Sequence, residues 1–188
     1  MGEFPAGLPH PLIPERTARN MDKLTLLTMK MIDYESGCPA RINHFLKVTA
    51  YARTIAEMEG LDENRLYTLT AAALTHDIGI KPSLEKYGNC NGEHQQVEGP
   101  PVAEKMLTAL GFEREVIDRV CWLIAHHHTY TDIIGADYRI LVEADFLVNL
   151  DEGGASADAK SQAREKMFQT RAGLAIFDRL FPEIAHCK

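Results

Sequence analysis

His76 and Asp77 stand side by side in the run Ala72-Ala73-Leu74-Thr75-His76-Asp77-Ile78-Gly79. An imidazole nitrogen next to a carboxylate offers a divalent metal two ligands at once, and the glycine that follows permits a turn that aims both at one point. Further candidates recur along the chain: His44, His94, the run His126-His127-His128, and Asp145. The chemistry they suggest is that of a metal centre. Mixed imidazole and carboxylate ligation without thiolate suits Fe, Mn, Co, Ni or Zn, and affinity alone does not choose among them. The expected cofactor is a divalent transition metal, with donors enough for two ions.

Each of these residues, taken singly, has an ordinary explanation. A lone histidine is more often a satisfied core or surface residue than a ligand. Asp145 can cap a neighbouring helix or pair with Arg41 or Arg139. Asp77 can accept hydrogen bonds at a helix end, although a carboxylate is disfavoured at the negative C-terminus of a helix. Taken together, five or six such residues at helical core positions are hard to explain without a metal.

The elements that must position them are helices. From Met21 onward the apolar period is helical almost everywhere, and alternating β-branched runs are missing, so the fold is expected to be all-α. The stop and start signals predict a helix over about 22–34, another from Pro39 to Gly60, and a third that Asp62 caps and Gly79 with Pro82 ends. Along the third, Leu66, Leu69, Ala73 and His76 follow 3-4-3 spacing, which puts His76 on the apolar face. Residues 80–93 read as a loop with at most one short helical turn, a candidate lid. Helices are expected at about 97–110, 113–128 and 137–151, with two short covering helices between 155 and 180. His44 shares a face with Val48, Tyr51 and Ile55, and Asp145 shares one with Leu141 and Val148. A carboxylate on such a face needs a partner worth several kcal/mol.

Bulk properties narrow the function classes. The 188 residues fit one helical domain over 21–188, preceded by a Pro-rich arm at 1–20 that carries Pro5, Pro9, Pro11 and Pro14. A formal charge of -7 argues against binding to duplex nucleic acid. No segment approaches the apolar length of a membrane span. Cys38, Cys90, Cys121 and Cys187 form no Cys-x-x-Cys pair, which fits free thiols and a cytoplasmic location. Cys121 reads as a core thiol and Cys90 as a loop thiol.

The order His44, His76-Asp77, Asp145, with Arg41 three residues before the first histidine, resembles the HD-domain metal-dependent phosphohydrolases over about residues 24–150. The resemblance implies a bundle with a five-helix core, extra helices at the C-terminus, and His44, His76, Asp77 and Asp145 as metal ligands. A histidine-rich subset holds a second ion through two further histidines, and here His94 and the histidine run occupy those places. Within the run, the stripe Val116, Val120, Leu123 points to His127, whereas the family's pattern favours His126, which ranks first. His128 is expected to face solvent or to lie behind the ligands. The Gly-Tyr-Pro motif of the branch that degrades cyclic dinucleotides is absent.

The implied mechanism has Asp77 bridging two metals about 3.5 to 4 Å apart that generate a hydroxide nucleophile. Arg41, Lys47 or Lys81 would hold the remaining phosphate charge. The expected substrate is a small phosphate ester or anhydride, a nucleotide or a dinucleoside polyphosphate. Alternatives on the same scaffold are a di-iron oxygenase and a non-catalytic metal- or nucleotide-binding regulator.

Overall fold

The computed structural model describes residues 21–185, and α-helix is the regular secondary structure of that stretch, with no strand among the described residues. The Pro-rich arm at 1–20 and Cys187 lie outside the described residues. The helices are α1 (Lys23–Tyr34), α2 (Pro39–Met58), α3 (Glu63–Thr75), α4 (Ile80–Tyr87), α5 (Gly92–Ala109), α6 (Arg114–His126), α7 (Ala136–Glu152), α8 (Ala157–Met167), α9 (Arg171–Leu180) and α10 (Pro182–Ala185). Among the described residues, none is long and apolar enough to cross a membrane.

The starts follow local chemistry. Asp22, Asp62, Asn91, Ser156 and Thr170 each accept a hydrogen bond from the backbone N–H three residues on, which satisfies a donor that the helix itself cannot. Pro39 opens α2, where its missing N–H costs nothing.

Residues 80–93 differ from the loop expected there. Ile80–Tyr87 form a helix of eight residues, with Pro82 in its first turn, where an N–H would lack a partner anyway. Gly88, at φ 72°, closes it with its N–H on Leu84 O. The following helix begins at Gly92 rather than near 97, because the Asn91 side chain caps His94 N. Gly79 also has a different role from the one its position suggested. Its φ is -73°, which any residue adopts, but an added Cβ would come within 2.6 Å of Gln95 O. The glycine therefore permits α5 to approach the turn after His76-Asp77, and it does not create that turn.

Helix α3 is the hub of the bundle, packed against α1, α2, α6 and α7. Leu69 to Thr75 are all buried, and Ala71, Ala72 and Ala73 have 0% exposure, so the small side chains let four neighbours close in on one helix end. That end carries the chemistry. Helices α2 and α7 pair along their length, α5 lies along α6, and α9 covers α7 and α2 from the C-terminal side.

Candidate metal centre

Four elements deliver the candidates to one point. His44 comes from the second turn of α2, His76 and Asp77 from the turn that ends α3, His127 from the residue capping α6, and Asp145 from the core-facing side of α7. The turn is held by Ile78 N–H on Thr75 O and Ile80 N–H on Asp77 O. His44, His76, His127 and Asp145 are buried, while the Asp77 side chain keeps 25% exposure.

The polar atoms converge within hydrogen-bonding range of one another. His44 Nε2 lies 3.3 Å from His76 Nε2, 3.2 Å from Asp145 Oδ1 and 3.5 Å from Asp77 Oδ2. His76 Nε2 is 3.5 Å from both Asp145 Oδ1 and Asp77 Oδ2. The other Asp77 oxygen, Oδ1, faces His127 Nε2 at 3.5 Å. Two ligand sets result: His44, His76 and Asp145 form one, and Asp77, His127 and His128 form the other. Asp77 presents one oxygen to each.

The tautomers test whether a cation fits. His76 Nδ1 donates to Ala73 O at 2.9 Å and His127 Nδ1 to Ile124 O at 2.8 Å, since a carbonyl can only accept. His44 Nδ1 likewise donates to Glu152 Oε2 at 2.9 Å. In the neutral rings every Nε2 is then a bare lone pair aimed inward. One proton could link His44 to His76, yet it would leave Asp145 Oδ1, His127 Nε2 and His128 Nε2 unmet, all of them buried and without a hydrogen bond. Each such group costs about 1–3 kcal/mol when orphaned. Divalent cations satisfy the whole set, so the residues fit a metal.

Charge in the centre points the same way. Burial opposes protonation of His76, but Asp77 and Asp145 outweigh it and push its pKa up to about 9. Burial likewise opposes ionisation of Asp77, yet His76 and His127 draw it down to about 2. Asp145 is held well below the carboxylate range, against burial, by His44 and His76. A site that stabilises an imidazolium this strongly attracts a cation by the same field. His128 is different: burial, with His127, lowers its pKa to about 4, so its ring is neutral at physiological pH.

Other residues singled out by the sequence lie elsewhere. His94 is stacked on Tyr87, centroids 3.9 Å apart, with Nδ1 on Asn89 Oδ1. His126 is stacked on Trp122 at 4.1 Å, with Nδ1 donating to Trp122 O, so the structure brings His127 rather than His126 beside Asp77. The reason is the helix end: α6 stops at His126, and the turn that follows directs His127 inward. Arg41 donates from Nε to the buried Glu35 at 2.5 Å, and Lys81 donates to Tyr34 O, so both are engaged at the end of α1. Lys47 pairs with Glu152 Oε1 at 3.0 Å.

Sequence reasoning missed Glu152 and undervalued His128. Glu152 lies seven residues after Asp145 on α7, two turns along the same face, a spacing that could have identified it as the partner of His44. For His128 no spacing rule would have served, because its position depends on the close approach of Gly92 in α5, where an added Cβ would meet the ring at 2.8 Å. Cys38, Cys90 and Cys121 are free thiols, and Cys121 donates to Pro100 O.

Comparison with known proteins agrees with this fold. Residues 41–168 match the family model of the HD domain. The fold is similar to a crystal structure from an uncultured Thermotogales bacterium, described as a predicted HD superfamily hydrolase. The two share 23% identity and a TM-score of 0.64, over 89% of this chain and 90% of that one. No curated protein sequence matches significantly.

Proposed function

Because the chain belongs to the HD-domain family, matched over residues 41–168, we propose that it is a metal-dependent phosphohydrolase. Its substrate class is a small phosphate ester or anhydride, with nucleotides and dinucleoside polyphosphates foremost. The observation that carries this reading is Asp77, whose two oxygens face two separate histidine-containing ligand sets. Such a shared carboxylate suits a two-ion site. When bound, a pair of divalent cations lowers the pKa of water toward neutrality and offsets phosphoryl charge.

The protein's own residues divide the remaining work. His44, His76 and Asp145 would hold one ion, and Asp77 with His127 and His128 would hold the other. Glu152 accepts from His44 Nδ1 and so fixes the tautomer that leaves Nε2 free, while Lys47 neutralises the far oxygen of Glu152. The backbone carbonyls of Ala73 and Ile124 do the same for His76 and His127.

The test is elemental analysis of the purified protein, combined with phosphate release from a mixed nucleotide panel with and without dioxygen. Two equivalents of metal and oxygen-independent phosphate release are expected, and Asp77→Ala should remove both. Full activity in that variant, or turnover that needs oxygen and releases no phosphate, would sink the reading.

A further inference from the structure

Tyr130 sits in the turn between α6 and α7, with 45% of its surface exposed. Its ring packs edge-on against Phe146, centroids 5.1 Å apart, and Phe146 directly follows Asp145 on α7. The phenol oxygen lies 3.4 Å from His128 Nδ1. His128 in turn belongs to the set with Asp77 and His127, and its Nε2 is buried without a hydrogen-bond partner. The hydroxyl of a half-exposed tyrosine therefore stands one imidazole away from the centre, on a ring that is anchored beside a candidate ligand.

The tautomer of His128 determines what that hydroxyl can do. A neutral imidazole carries one N–H. When Nε2 serves as a lone pair toward a cation, the proton is on Nδ1 and is donated to the phenol oxygen, so the phenol's own proton must go elsewhere. Tyr34, Tyr87 and Tyr138 commit theirs to Ile78 O, Glu98 Oε1 and His126 O. The Tyr130 hydroxyl lies beside His128 Nδ1 instead. Burial pushes the Tyr130 phenol above its ordinary range, so it stays protonated at neutral pH and acts as a hydrogen-bond donor, not as a proton donor.

We propose that the Tyr130 hydroxyl, oriented by His128, donates a hydrogen bond to a non-bridging phosphoryl oxygen of the substrate. Tyr130 is then a catalytic residue supplied by the α6–α7 turn. This rests on the phosphohydrolase reading above. No bond to hydrogen is broken in this role, so its contribution is independent of the leaving group.

Tyr130→Phe keeps the ring on Phe146 and removes only the hydroxyl. In Mn²⁺-loaded protein, the variant should bind inorganic phosphate in calorimetry about tenfold more weakly, and kcat/KM should fall about ten- to a hundredfold, the range for a hydrogen bond to a charged group. The fall should be equal for p-nitrophenyl phosphate and for a nucleoside monophosphate, with metal content and Tm as in the wild type. Unchanged phosphate affinity would overturn the inference. So would a loss confined to the poorer leaving group, which marks a proton donor, or a loss that tracks metal content, which marks a residue that merely holds His128. If the wild type hydrolyses nothing yet binds phosphate through Tyr130, the inference stands and the phosphohydrolase reading falls. No phosphate binding by the wild type overturns the inference as well.

Discussion

Helix α7 carries two buried carboxylates two residues apart, and they have opposite surroundings. Glu143 has 0% exposure and accepts from Gln169 N, Thr170 N and Thr170 Oγ1, at 2.7, 2.9 and 2.5 Å. Asp145 has 4% exposure and faces His44 and His76, yet its Oδ1 has no hydrogen bond. Both charges are desolvated, but only one has partners supplied by the fold. Glu143 serves as a tertiary cap that ties the start of α9 to α7. Asp145 Oδ1 is left without a partner from the fold. Burial of a charge therefore does not by itself mark a functional residue; burial with convergent, unmet donors and acceptors does.

Substitution at the two positions should separate metal from stability. Asp145→Asn should abolish metal binding and lower phosphate release by roughly three orders of magnitude or more, with little change in the Tm of the metal-free protein. Glu143→Ala should do the reverse. It orphans three donors and leaves a cavity, and should cost about 3 kcal/mol, roughly 6–12 °C in Tm, with metal content retained. Equal effects on both readouts from the two variants would erase the distinction.

The same contrast applies within the histidine run. His127→Ala should lose one metal equivalent and most of the activity, because its Nε2 faces Asp77 Oδ1. His126→Ala loses a stacking contact on Trp122 and should change stability by about 0.5–1.5 kcal/mol with both metals kept. Metal counting on the two variants decides between them.

A smaller effect is expected one bond further out. Glu152→Gln weakens the acceptor for His44 Nδ1 and should reduce metal affinity about 10- to 100-fold, measured by competition with a chelator, while the fold persists. Unchanged affinity would make Glu152 a partner of Lys47 alone.

A further change is expected in the pH dependence of metal-free protein. His76 has its folded pKa raised from 6.5 to about 9, so its protonation stabilises the fold fully below about pH 6.5, and that contribution is lost as pH rises through about 9. The Tm of chelator-treated protein should therefore fall between pH 7 and pH 10. Added metal should remove much of this fall, because the cation takes the place of the proton. A flat profile in the metal-free protein would contradict the field attributed to Asp77 and Asp145.

Much of the architecture could be read from local signals. The cap at Asp62, the stop at Gly60 and the 3-4-3 stripe on α3 are consequences of backbone donors and of the helical repeat, which neighbours in sequence determine. Pro82 misled for a local reason too, since proline ends a helix in its interior but is tolerated in its first turn.

The sequence by itself determined that the chain is helical and that His44, His76 and Asp145 lie on apolar faces able to meet, with Asp77 beside His76. Tertiary structure alone decided which histidine of the run turns inward, that Gly79 serves close packing against α5, and that Glu143 is satisfied whereas Asp145 is not. The periodicity of a helix fixes a side chain's direction relative to its own axis. Which polar atoms find partners depends on where other helices end, and that is settled only when they pack.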